Sequence, residues 1–128
     1  MRLAHTMLKV ESLEESLSFY VNILGMRLVR RHDYPQGRFS LALLEDGACG
    51  STARLELMHV WDDAQVRPGE TLGHIGFEVE NVFEACQAVE ARGGTITRRA
   101  ARMPFGKRVF ATVAAPGGYG VALIQRAE

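Results

Sequence analysis

Apolar positions change their period early in the chain. Leu3, Met7, Leu8 and Val10 alternate loosely across residues 3 to 10, the pattern of a half-buried strand carrying His5 on one face. Ser12 followed by Glu15 gives a capping-box start, and Leu13, Leu17, Tyr20, Ile23 and Leu24 then recur at helical spacing, with Phe19 beside them, until Gly25 stops the run. Strands are expected over Arg27 to Arg31, Arg38 to Glu45 and Arg54 to Trp61. In the last of these, Glu56, Met58 and Val60 share one face while Leu55, Leu57 and His59 share the other.

The same plan is then written again. His5, Val10, Glu11, Glu15 and Gly25 recur 69 positions later as His74, Val79, Glu80, Glu84 and Gly94. Leu72 to Val79 reads as a strand, and Asn81 with Glu84 starts a helix whose buried stripe is Val82, Ala85, Cys86 and Val89. Gly93-Gly94 ends that helix. Strands are expected over Thr95 to Arg98, Val109 to Ala114 and Gly120 to Gln125, with Pro116-Gly117-Gly118 as the turn before the last. The chain is therefore one α+β domain, 1–128, of two βαβββ halves forming curved mixed sheets, about 1–61 and 71–128, joined by a polar linker at 62–70. One helix per half covers one sheet face. Covering the other calls for a partner, and a symmetric homodimer is the expected state.

Composition narrows the function classes. With 128 residues, 47% of them hydrophobic and 23% charged, the chain can bury a sizeable core. Fifteen basic residues balance fifteen acidic ones, so no global field draws the chain to nucleic acid or an anionic membrane. The densest basic group, Arg98, Arg99, Arg102, Lys107 and Arg108, reads as a solvated loop and strand edge. No apolar run spans a bilayer or follows a basic start, and a cytoplasmic location is expected. Cys49 and Cys86 lie outside any Cys-x-x-Cys pattern and read as reduced thiols, Cys86 as a small hydrophobe on a helix.

The repeat delivers a histidine twice but a carboxylate once, because Leu55-Glu56-Leu57 corresponds to Val121-Ala122-Leu123. His5 and His74 start equivalent strands, and Glu56, set between two leucines, can join them. Imidazole nitrogen and carboxylate oxygen suit zinc, nickel, cobalt or iron, and three protein ligands leave positions open for water or substrate. Taken singly, a strand histidine is more often structural; because both histidines obey the repeat and Glu56 sits on an apolar strand, His5, Glu56 and His74 form a candidate metal set. His32 and His59 have no repeat partners and read as structural or surface residues, with His59 on the face opposite Glu56.

His5-Thr-Met-Leu-Lys-Val10, Ser16-Leu-Ser-Phe-Tyr-Val-Asn-Ile-Leu-Gly-Met26, Leu55-Glu-Leu57, Gly73-His-Ile75 and Pro116-Gly-Gly-Tyr119 together resemble the bacterial glyoxalase I family, the lactoylglutathione lyases of the vicinal-oxygen-chelate superfamily. The resemblance covers nearly the whole chain. It implies the paired βαβββ dimer and a divalent metal, nickel or cobalt by likeness to short bacterial forms, with zinc fitting the same ligands. It also implies glutathione as co-substrate, and isomerisation of the methylglyoxal hemithioacetal to S-lactoylglutathione through an enediolate, with carboxylates moving the proton. His5, Glu56 and His74 match three metal ligands, and Glu56 matches a catalytic base. A fourth ligand of the family, a second glutamate, falls on Ala122.

Other positions depart as well. The family's glutathione-binding arginine is matched by Lys9, which keeps the charge without a bidentate fork. Its asparagine late in the fourth strand is matched by Val60, its loop lysine by Pro104, and its Asp-Pro-Asp-Gly-Tyr by Ala115-Pro-Gly-Gly-Tyr119. The expectation is a glyoxalase I-like lyase with reduced metal affinity or turnover. The alternatives are a lyase of changed substrate and a non-catalytic small-molecule-binding module like the bleomycin-resistance relatives; a dioxygenase or thiol transferase ranks lowest, since it needs a carboxylate at Ala122.

Overall fold

This computed structural model describes residues 5–47, 51, 53–62, 65, 74–102 and 108–126. The chain forms two compact units, Met1–Arg67 and Pro68–Glu128. The first holds strands β1 (Thr6–Lys9), β2 (Arg27–Tyr34), β3 (Phe39–Glu45) and β4 (Arg54–Val60), with helix α1 (Leu13–Leu17) running into a π-helical turn, Ser18–Ile23. The second holds β5 (Ile75–Val79), helix α2 (Val82–Ala91), β6 (Ile96–Arg102), β7 (Val109–Ala114) and β8 (Gly120–Gln125), with a 3-10 turn at Pro116–Gly118. Leu3, Cys49, Leu72, Gly73, Pro104, Lys107 and most of the expected linker lie outside the described residues.

Each unit is a four-stranded mixed sheet, in the orders β1-β4-β3-β2 and β5-β8-β7-β6. The outer pair in each is parallel and the others antiparallel. The α+β architecture and the two βαβββ halves are those the periodicity predicts. In the first unit the helix-side face carries Leu8, Ala42, Leu44, Leu55 and Leu57, all buried and in register across three strands, beneath Leu13, Phe19 and Tyr20. In the second, Ala111, Val113, Val121 and Leu123 form that layer beneath Val82, Cys86 and Val89. Cys86 is thus the small hydrophobe the stripe predicts, and burial, aided by the charge of Glu90, pushes its thiol pKa up.

The helix starts are set by the predicted caps. Ser12 Oγ accepts the Glu15 amide at 3.2 Å, and Asn81 Oδ1 accepts those of Phe83 and Glu84 at 3.0 and 3.1 Å. The helix ends correct the repeat. Gly25 takes a left-handed φ of 84°, but its counterpart is Gly93 at 91° rather than Gly94. In the second unit Gly94 N–H bonds to Val89 and Gly93 N–H to Glu90, while in the first Met26 bonds to Tyr20 and Gly25 to Val21, each loop one residue longer. The π turn is that extra residue, an insertion the helical spacing did not reveal.

Strand limits differ from expectation where pairing outruns composition. β2 continues to Tyr34 because Arg31 to Tyr34 pair with Ala42 to Phe39, although every residue of β2 is exposed. β6 starts at Ile96 and runs on to Arg102 by bulging twice against β7. The β2–β3 turn is tied to the end of β4. Trp61 Nε1 donates to Ser40 Oγ at 2.9 Å, Ser40 donates to Asp33 at 2.6 Å, and the Arg38 guanidinium forks onto Asp62. Among the described residues no helix is long and apolar enough to cross a membrane.

Two substitutions test these terminations. Asn81→Ala removes a side-chain acceptor from two amides and is expected to cost about 1 kcal/mol, lowering the melting temperature by several degrees. Gly93→Ala is expected to cost about 1–2 kcal/mol although nothing lies within 4 Å of the added methyl, because the penalty is the left-handed backbone alone. A neutral result for either in thermal unfolding would remove the corresponding account.

Candidate active site

Parallel pairing of β1 with β4 sets Met7 opposite Glu56 on the sheet face away from the helix. His5, two residues before Met7, shares that face, and its Nε2 lies 3.7 Å from Glu56 Oε1. The carboxylate is 12% exposed and the imidazole 39%, so the pair sits at the edge of the packed layer with access from outside. At 3.7 Å they are beyond hydrogen-bond distance. Metal bonds from imidazole nitrogen and carboxylate oxygen run to about 2.0–2.2 Å each, so one ion can touch both atoms across this gap. Donor chemistry and spacing fit a borderline divalent ion.

The rest of the open face follows from register. One row across the sheet is Met7, Glu56, Leu43, Arg30; the next is Lys9, Met58, Leu41, His32; a third ends in Val60, Phe39 and Tyr34. Lys9 and Val60 therefore share the face of Glu56, as their alternation predicts. His32 does too, which its sequence context did not indicate. Its ring meets Tyr34 edge-on at 4.4 Å, and Tyr34 stacks on Phe39 at 4.8 Å. His59 lies on the opposite face, with Nδ1 3.4 Å from the Val10 carbonyl oxygen, and is structural as read.

In the second unit, Gly76 stands opposite Ala122, the register position that Met7 and Glu56 hold in the first. The correspondence of Glu56 with Ala122 is thus present in the backbone. His74 is exposed just before β5, on the face of Gly76, and its Cδ2 would lie 4.0 Å from a Cβ added at Gly76. Ala122 is 3% exposed, flanked by Thr112 across the strand. The row is Gly76, Ala122, Thr112, Arg98. A bulge between Ile96 and Arg98 leaves Thr97 unpaired and turns its hydroxyl to within 2.7 Å of the Thr112 hydroxyl. Arg98 lies over the Phe110 ring at 4.8 Å, and Arg99 and Arg102 are solvated on the sheet edge as expected.

The structure brings His5 and Glu56 together. Among the described residues no three His, Cys, Asp or Glu side chains form a cluster. The residues missed from sequence are Arg30, His32, Thr97, Arg98 and Thr112. A signal for three of them was present. Val29 and Arg30 form a bulge in β2 as Thr97 and Arg98 do in β6, and the two bulges lie 68 positions apart rather than 69, beyond the π insertion.

Residues 2–123 match the model of the Glyoxalase/Bleomycin resistance protein/Dioxygenase superfamily. A lactoylglutathione lyase of Neisseria meningitidis serogroup A is 48% identical over 126 residues, 98% of this chain and 91% of the relative. A probable lactoylglutathione lyase of Synechocystis is 41% identical over 125 residues, 98% of this chain and 95% of that protein. Among solved structures, glyoxalase I from Zea mays superposes with a TM-score of 0.90 at 28% identity, over 99% of this chain and 45% of the maize chain, so this chain spans under half the maize enzyme's length. The trypanothione-dependent glyoxalase I of Leishmania major gives a TM-score of 0.81 at 31% identity, over 98% of this chain and 86% of that one.

Proposed function

The chain belongs to the glyoxalase/bleomycin resistance protein/dioxygenase superfamily, and we propose that it works as a metal-dependent glyoxalase I, a lactoylglutathione lyase acting on the hemithioacetal of a 2-oxoaldehyde and glutathione in the cytoplasm. The observation that carries this reading is the His5–Glu56 pair, 3.7 Å apart on the face that no helix of its unit covers. His5, Glu56 and His74 are the metal ligands in this reading, with nickel or cobalt ahead of zinc. When bound, such an ion supplies positive charge to the substrate's vicinal oxygens and so acidifies the adjacent C–H.

The chain's own residues do the rest. Glu56 takes the proton from one substrate carbon and returns it to the next, its strand held in register by Leu55 and Leu57, buried on the opposite face. The imidazole of His5 lies beside that carboxylate, 3.7 Å away. Lys9, further along the same face, offers a positive charge to a carboxylate of glutathione. Ala122 offers neither ligand nor base, so proton movement rests on Glu56. A homodimer is part of the proposal, because each unit leaves the face bearing these groups without a helix of its own. Ala122 also supports a second reading, a superfamily member that binds a small ligand without turning it over.

Loading the purified protein with nickel, cobalt or zinc and measuring both metal content and hemithioacetal isomerisation separates these readings. His5→Ala is expected to strip the metal, and unchanged metal content would remove the ligand assignment. Glu56→Gln is expected to lower kcat by about 100- to 10,000-fold, the usual cost of losing a general acid or base. Retained turnover would place the base elsewhere. Ala122→Glu is expected to tighten metal binding at least about tenfold, equivalent to about 1.4 kcal/mol, and to raise kcat. Tighter metal without faster turnover would favour the binding reading.

A further inference from the structure

A β-bulge decides the facing of one arginine in the first unit. Leu28 pairs with Leu44 of the helix-side face, and in an unbroken ladder Arg30 would share that side. The register shifts between the two, so Arg30 pairs with Leu43 and joins the row of Glu56. Glu56 and Arg30 then stand two strands apart in one sheet, with about 9.5 Å between their backbones at the usual strand spacing. Leu43 is the apolar floor between them, and exposed His32 follows Arg30 on the same face.

The arginines around this position are already matched. Arg27 and Arg54 share the carboxylate of Glu45, while Arg31, on the opposite face, reaches Glu14 at 2.7 Å. Arg38 forks onto Asp62. Arg30 is exposed, and among the described residues no carboxylate lies within ion-pair distance of it. A guanidinium in that state offers its planar fork to a carboxylate from outside the chain.

Strand order says which part of a substrate arrives there. In the proposed reaction Lys9 on β1 holds a carboxylate of glutathione, and Glu56 on β4 meets the reacting carbons. β3 and β2 lie on the other side of β4 from β1, so the remaining part of the hemithioacetal, the aldehyde's own substituent, extends over them toward Arg30. We propose that Arg30 is a specificity-determining residue that binds a carboxylate at the end of this substituent, so that the chain prefers 2-oxoaldehydes ending in a carboxylate over methylglyoxal. The inference deepens the lyase reading and rests on it for the direction in which the substrate lies. Every group it uses belongs to the first unit.

Two non-reacting thioethers that differ only in charge, S-(4-carboxybutyl)glutathione and S-(4-carbamoylbutyl)glutathione, probe the subsite by calorimetry on the metal-loaded protein. Kinetics with the glutathione hemithioacetals of 4,5-dioxopentanoate and methylglyoxal run beside it. The carboxylate compound is expected to bind about fivefold tighter at low salt, the upper range for an ion pair open to solvent. That preference is expected to fall to near parity in about 1 M salt and in Arg30→Gln, with the ratio of kcat/KM falling beside it at unchanged melting temperature. Arg27→Gln, which removes the same charge from the same strand, is expected to keep the preference. Equal binding of the two thioethers, a preference that survives Arg30→Gln, or one lost equally in Arg27→Gln overturns the subsite. A preference lost only in Arg30→Gln, with turnover of neither hemithioacetal, supports the subsite and overturns the lyase reading. Turnover of methylglyoxal without any thioether preference does the reverse, and binding of neither thioether overturns both.

Discussion

Parallel pairing of β1 with β4, and of β5 with β8, fixes Met7 opposite Glu56 and Gly76 opposite Ala122. A parallel neighbour cannot be reached through a tight turn, so in each unit the chain leaves the first strand through a helix, builds from the far edge and returns last to the strand it began with. The helix comes back over one face, and that face must be apolar. Leu8, Leu55 and Leu57 meet this demand in the first unit, all at 5% exposure or less. A one-residue slip of β4 would turn both of its leucines outward and drive Glu56 under the helix. Burial of the leucines therefore holds the carboxylate on the open face beside His5.

This dependence explains what the sequence disclosed. Strand faces, helix caps and the doubling of the plan are local properties, and each of Ser12, Asn81 and the Leu55–Leu57 alternation showed them. Equivalence of Glu56 and Ala122 could be read because both lie in short apolar strands with one possible facing. The β2 strand resisted the same reading. Its eight residues are all exposed, so no alternation marked its faces, and His32 joined the face of Glu56 only through pairing with Leu41.

The π turn hid more. One extra residue between Ser12 and Gly25 moves the helix end and the β2 bulge by one, so a search at a fixed spacing of 69 pairs the wrong residues there. Arg30 with Arg98, and Val29 with Thr97, become partners only after that correction. Helical periodicity tolerates one inserted residue because the apolar stripe is broad, and hydrogen-bond spans are what distinguish the wider turn.

With the halves aligned, position 122 decides the electrostatics of the proposed centre. Two carboxylates would neutralise a divalent ion, whereas Glu56 alone leaves net positive charge. Such a site holds its ion less firmly and attracts an anionic oxygen more strongly. Thr97 and Thr112 cannot restore the missing charge, since an alcohol hydroxyl does not ionise near neutral pH. In the proposed reaction a proton leaving the substrate therefore has a single carboxylate of this chain to visit, Glu56.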